Sequence, residues 1–266
     1  MNYFDDIEIF SFKEFDLTMR YNPKKHHLPI FSGNGILSID KPAGWTSFDV
    51  VNFLRNRYNI PKVGHCGTLD PAATGLLVIV LGGYTKFSDK LMASDKVYQC
   101  TLRLGIETDS YDLDGEVIAE KEVNVTEEEL LETLKSFEGD QMQMPPMVSA
   151  VKVGGKKLYE LARKGVEIER EARPIHINAI KVEKVALPDC EFILECSKGT
   201  YVRSLCHDVG ARLGCGGTLA ALRRVRSGSF DIKDAVTIDY LKELEVEQFK
   251  MLLAEKLSTF AGFGGR

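Results

Sequence analysis

Residues 76–81 read Leu-Leu-Val-Ile-Val-Leu, an unbroken apolar run that directly follows the loop Gly-His-Cys-Gly-Thr-Leu-Asp-Pro-Ala-Ala-Thr-Gly at 64–75. A run this short, bounded by glycine and rich in β-branched residues, suits a strand buried on both faces rather than a helix. The fold must therefore supply apolar cover on each side of it. Asp70 then sits on a loop at the edge of the core, where glycines 64, 67 and 75 allow close approach by a backbone or a ligand. Taken alone, Leu-Asp-Pro is ordinary turn chemistry. A loop held by a buried strand is also what a rigid functional site requires.

Around this feature the periodicities alternate between two kinds. Residues 35–40 form a short apolar strand, followed by the turn Lys41-Pro-Ala-Gly-Trp45 and a helix. Thr46 with Asp49 makes its capping box, and Val50, Val51, Leu54 and Tyr58 its buried stripe. Strands are expected at 97–104, 175–186 and 191–196. Thr126 with Glu129 caps a second helix that turns Leu130, Leu131, Leu134 and Phe137 inward before Gly139. A third helix spans about 202–213, with Leu205, Cys206, Val209 and Leu213 on one side and Gly214 as its stop. Strands and helices mixed without regular βαβ alternation predict an α+β fold. Residues 1–34, polar and irregular, read as an N-terminal extension outside the main core.

Charge and cysteine content exclude several function classes. No apolar segment approaches the roughly 20 residues that span a bilayer, and the acidic start resembles neither a signal peptide nor an Arg-rich transit peptide. A soluble cytoplasmic protein is expected. The 6 cysteines form no C-x-x-C pair, so reduced structural thiols are expected rather than a zinc site or a disulfide framework. A net charge of −5 argues against a generic nucleic-acid coat. Basic residues nonetheless cluster, as Lys152, Lys156, Lys157, Arg163 and Lys164 against Glu160 alone, and again as Lys198, Arg203, Arg212, Arg223, Arg224 and Arg226 against Asp208 alone. Brought together, these segments make one positive face and a local polyanion site; each by itself also reads as a solvated helix face.

Other residues carry two readings each. Arg203 opens a helix, near the positive end of its dipole, which calls for a phosphate or carboxylate partner; a surface arginine is the equal alternative. Tyr98 and Tyr201 read first as core aromatics, and His65 as a buried, hydrogen-bonded histidine. Nothing is assigned to His207, and nothing marks Cys66 as a nucleophile. Asp112-Leu-Asp114-Gly115 is not a calcium loop, because aligning Gly115 puts Lys121 where the bidentate ligand belongs. Gly154-Gly-Lys156-Lys157 lacks the upstream glycine and Ser/Thr of a Walker A loop, and no G-x-G-x-x-G follows a strand.

Taken in order, the segments Lys41-Pro-Ala-Gly-Trp-Thr-Ser47, the loop with Asp70, Tyr98 ahead of Leu104-Gly105, the Asp112-x-Asp-Gly turn and Ser-Lys-Gly-Thr-Tyr-Val-Arg-Ser-Leu around Arg203 resemble the ordered motifs of TruB-type pseudouridine synthases. Residues 144–165 are similar to that family's RNA-gripping insertion. The resemblance covers about residues 35–230.

What the resemblance implies is specific. The fold is the pseudouridine synthase fold, a mixed, largely antiparallel sheet with flanking helices and the insertion at about 144–172. The catalytic domain runs over 35–235, and 236–266 suffice for a C-terminal helix and tail but not a full PUA domain. The activity is isomerisation of uridine to pseudouridine at position 55 in the tRNA T-loop, without cofactor or metal, by a monomer whose partner is the T-arm. Asp70 maps onto the nucleophile, Arg203 onto the arginine that keeps it ionised, and Tyr98 onto the tyrosine that stacks on the uracil and accepts the carbon 5 proton. Substrate contacts fall to His65, Tyr201, Leu222 and Lys41, and phosphate contacts to Lys152, Lys156, Lys157, Arg163 and Lys164. Two alternatives are a synthase acting on another RNA and a tRNA-binding folding factor with weak catalysis.

Overall fold

The computed structural model describes residues 31–259, except 32, 148, 150–151, 154–155 and 158–167. The first half of the chain forms β1 (Gly35–Lys41), α1 (Ser47–Tyr58), β2 (Val63–His65), β3 (Thr74–Leu81), α2 (Ser88–Met92), β4 (Lys96–Leu104), β5 (Ile106–Thr108), β6 (Val117–Glu120) and α3 (Glu127–Lys135). There follow β7 (Gly139–Gln143), β8 (Lys152–Val153), β9 (Lys156–Lys157), β10 (Arg173–Ala186), β11 (Asp189–Cys196) and α4 (Val202–Arg212). The chain ends in β12 (Gly217–Ser227), β13 (Phe230–Asp231), β14 (Val236–Thr237), α5 (Ile238–Glu243) and α6 (Val246–Thr259).

One sheet organises the described residues, in the order β14-β1-β3-β12-β4-β11-β10-β7, with β2 added to β3 and β13 to β12. It is mixed and largely antiparallel: β1 with β14 and β3 with β12 run parallel, the other pairs antiparallel. This is the α+β architecture expected from the sequence. β3 is covered on both faces. Leu77, Ile79 and Leu81 join α1 and the C-terminal helices in one core cluster, while Leu76, Val78 and Val80 join Ile36, Cys66, Leu91 and Phe230 in another. A third cluster lies between α3, α4 and the β4/β11/β10 part of the sheet.

Both expected capping boxes form, at Thr46 with Asp49 and at Thr126 with Glu129. α3 departs from expectation in one residue: Leu130 and Leu134 are buried, but Leu131, about 100° round the helix from Leu130, is 38% exposed. Residues 236–259 share the first core rather than standing apart from it. Ile238, Leu241, Phe249 and Leu253 are buried there, and the Phe249 ring stacks on Tyr58 at 3.9 Å. Phe31, inside the 1–34 stretch, packs edge-on against Phe249 at 5.9 Å, and residues 1–30 lie outside the described residues.

Where β3 meets β12, Gly75 (φ 96°) pairs with Arg224. A Cβ at Gly75 would stand 2.3 Å from the Arg224 carbonyl oxygen, and backbone on both sides leaves no room to yield. Gly75→Ala is accordingly expected to cost about 3 kcal/mol through left-handed strain plus overlap. A thermal melt checks this, and an unchanged melting temperature would remove the argument for glycine at this position.

Candidate active site

The carboxylate at the centre of the site is held by its neighbours in sequence. Ser47, the first residue of α1, accepts from the Leu69 N–H at 2.9 Å and donates to the Leu69 carbonyl at 3.2 Å. On the other side, the Pro71 carbonyl accepts from Gly44 N–H at 2.9 Å and from Lys41 Nζ at 3.2 Å. Asp70 is thus pinned on both flanks by the turn that joins β1 to α1, and it needs no freedom of its own to be placed.

Arg203 meets it from the first turn of α4. Arg203 Nε lies 3.1 Å from Asp70 Oδ2, Nη1 lies 3.4 Å from Asp112 Oδ2, and Nη1 also donates to the Ser110 carbonyl at 3.0 Å. The arginine is buried, so the partner its position demanded is a pair of carboxylates. Asp112 is presented by a turn in which Tyr111 adopts a left-handed φ of 65°. Gln143 aligns the start of α4, with its side-chain amide accepting from Tyr201 N–H at 2.7 Å and donating to the Tyr201 carbonyl at 3.0 Å.

Electrostatics divide the site's groups. Burial raises the Asp70 carboxyl above the ordinary carboxylate range; Arg203 opposes this most, Asp112 adds to it, and Lys41 opposes it. Its side chain remains 44% accessible, so the nucleophile candidate is both surrounded and reachable. Tyr98 is pushed up to about 12 by burial, against the pull of the Arg224 cation. Burial likewise raises Tyr201, and together with Arg224 it lowers His65. Cys66 goes up to about 11 through burial, and all six cysteines are free and buried.

Lys41 departs from its expected role. It is fully buried, and Nζ donates to the carbonyls of Pro42, Trp45 and Pro71 at 2.9, 2.7 and 3.2 Å, which uses all three ammonium protons. No donor is left for a substrate. Lys41 braces the Asp70 loop, and burial takes its pKa down to about 8 while Asp70 pulls the other way. Lys41→Met is expected to cost about 2 kcal/mol by orphaning buried carbonyls and to lower activity as Pro71 loosens. Urea unfolding and a turnover assay check both, and a variant as stable and active as wild type would reject the bracing role.

Other expected residues are placed less tightly. Tyr98 on β4 and Leu222 on β12 pack, half-buried, where the first and third core clusters meet. His65 ends β2. Lys152, Lys156 and Lys157 lie on the β8/β9 hairpin, but their side chains, like Arg163 and Lys164 entirely, fall outside the described residues. Sequence reasoning assigned nothing to Ser47 or Gln143 and gave Asp112 only a turn; it counted Arg224 toward a positive face, but Arg224 is buried with its guanidinium on backbone carbonyls. Among the described residues no group of three or more His, Cys, Asp or Glu is disposed to hold a metal, and no helix is long and apolar enough to cross a membrane.

Comparison with known proteins places the chain in a family. Residues 55–202 match the family model of the TruB family pseudouridylate synthase N-terminal domain, and 203–258 that of the tRNA pseudouridylate synthase B C-terminal domain. A tRNA pseudouridine synthase B of Clostridium tetani is 46% identical over 228 residues, 85% of this chain and 79% of that protein. One from Clostridium kluyveri is 50% identical over 208 residues, 78% of this chain and 72% of that protein. Among solved structures, a chain of a Cbf5-Nop10-Gar1 complex aligns with a TM-score of 0.63 at 31% identity, covering 82% of this chain and 59% of that one. A chain of an H/ACA RNP bound to a substrate RNA aligns at 0.59 and 27% identity, covering 83% and 55%. This chain spans less than two thirds of either of those two solved chains. The match over most of its length establishes that the chain belongs to the TruB family of pseudouridylate synthases.

Proposed function

We propose that this chain isomerises uridine to pseudouridine in tRNA, at position 55 of the T-loop, with Asp70 as nucleophile. The observation that carries the reading is the Asp70–Arg203 pair at 3.1 Å, set on a loop braced from both sides. An ionised carboxylate is needed to attack the sugar or the base, and the arginine favours that form against burial. The uridine must leave the stack to reach it, at a cost of a few kcal/mol that stacking and phosphate contacts offset. Tyr98 supplies the stacking, with His65, Tyr201 and Leu222 around the base, and the lysines and arginines of the insertion grip the backbone.

The chemistry balances within one substrate. The bond from sugar carbon 1 to base N1 breaks, the uracil turns, and carbon 1 joins carbon 5. Carbon 5 then gives up its proton, its electron pair returning to the ring, while N1 gains a proton. Nothing is oxidised, and no second substrate is consumed. Since burial keeps Tyr98 a neutral phenol at ordinary pH, it takes the carbon 5 proton while giving its hydroxyl proton to water, and N1 draws its proton from water, so the count is even. The reading is of a monomeric cytoplasmic enzyme whose partner is the T-arm.

Tritium release from tRNA labelled at uracil carbon 5 tests this. One tritium released per normal T-loop, and none when the target uridine is replaced, is the expected result. Tight tRNA binding with no release would overturn the reading in favour of a folding factor, and release from the replaced T-loop would move the site.

A further inference from the structure

Arg224 is the largest fully buried side chain among the described residues, and neither the Asp70–Arg203 pair nor the base pocket accounts for it. Its guanidinium is directed at backbone carbonyls. Nε donates to the Leu76 carbonyl at 2.7 Å, Nη2 to Gly67 at 3.1 Å and Nη1 to Thr68 at 3.4 Å. Those three carbonyls bracket Asp70, two before it within its loop and one at the start of the strand that follows. The backbone of Arg224 pairs with Gly75 on β3 and, on its other side, directly opposite Tyr98 on β4. Opposed residues of an antiparallel pair put their side chains about 5 Å apart on one face of the sheet, so the Arg224 side chain stands beside Tyr98, and its cation works against the rise that burial imposes on the Tyr98 phenol. A planar guanidinium holds these carbonyls in one fixed geometry from two separate edges, which the single nitrogen of an ammonium cannot reproduce.

We propose that Arg224 is a positioning residue for the isomerisation, tying the loop that carries Asp70 to the strand position beside Tyr98 so that nucleophile and proton acceptor hold a fixed separation across the uracil. This rests on the function proposed above. Burying a cation among carbonyls is costly, and a loop needing only stability could be closed by an apolar side chain. The fork instead fixes the Asp70 loop to the strand that lies directly beside Tyr98. A loss at Arg224 then acts on removal of the carbon 5 proton, since Tyr98 loses the guanidinium packed beside it while Asp70 keeps Ser47, Lys41 and Arg203.

Arg224→Lys keeps the charge and loses the fork; Arg224→Gln keeps a planar donor and loses the charge. For Arg224→Lys the expected result is a kcat lower by about tenfold or more with KM within about twofold, as for an interaction used mainly in the transition state. With tRNA deuterated at uracil carbon 5, its kinetic isotope effect rises above that of wild type, which a merely structural role would not produce. Arg224→Gln, scored by melting temperature and tRNA binding beside it, separates loss of fold from loss of positioning. An unchanged isotope effect in a folded variant that still binds tRNA, or a wild-type rate for Arg224→Lys, overturns the inference while leaving the function standing. A wild-type protein that makes no pseudouridine overturns both.

Discussion

Asp70→Asn converts no uridine, a loss on the order of 10⁴-fold or more of the kind that follows removal of a nucleophile, while the protein folds and binds tRNA as before. The amide is isosteric, the loop remains held by Ser47, Lys41 and Gly44, and Arg203 retains Asp112. Stability is expected to be unchanged or to rise slightly. Burial and Asp112 both work against the Asp70 charge, so the site is strained electrostatically for function and relaxes when the charge is removed. Tritium release, filter binding and a thermal melt, run on one preparation, check the three parts. Residual turnover near the wild-type rate would take the nucleophile's role away from Asp70. Loss of binding together with turnover would make it a recognition residue instead.

Which parts of this site are legible in the sequence follows from how local their causes are. β3 reads correctly because an apolar run between glycines encodes burial on both faces by itself, and the two capping boxes because each closes within four residues. β12 does not read as a strand. Its Gly-Thr-Leu-Ala-Ala-Leu-Arg-Arg-Val-Arg-Ser has few β-branched residues and three arginines, a pattern that by itself suits a solvated surface. What makes it a central strand is long-range: Arg224 finds carbonyls at 67, 68 and 76, and Arg223 meets Asp40 at 2.7 Å. The same holds for Lys41. A lysine beside a catalytic loop suggests a substrate contact, and only the fold reveals that three carbonyls have already taken its protons. Motif order locates Asp70 and Arg203 and includes Ser47 and Asp112, but what Ser47, Asp112 and Gln143 hold lies tens of positions away in sequence, so their roles carry no local signal.

The second large effect lies at Arg203, where catalysis and stability respond to pH in linked ways. Arg203→Gln removes the cation that most strongly opposes the rise of the Asp70 carboxyl, leaving burial and Asp112 to push it higher. A reaction that needs ionised Asp70 declines as pH falls through its pKa, so the acid limb of kcat/KM moves to higher pH in the variant. At pH 7 the rate is expected to fall by about 10²-fold or more, since the orienting and charge-stabilising contact is also gone. Stability moves by the same logic. A carboxyl whose folded pKa exceeds its unfolded value binds protons more tightly when folded, so its ionised form is a cost at neutral pH that acidification relieves. Breaking a buried pair costs about 3 kcal/mol, and here the deficit against wild type should be largest near pH 8 and shrink toward pH 5. Arg203→Lys, which restores charge without the two-sided fork, should recover part of the acid limb and little of the rate. Melting curves and pH–rate profiles of the three proteins decide the matter. A deficit that grows on acidification, or an acid limb that stays in place in Arg203→Gln, would mean that Arg203 does not govern the ionisation of Asp70.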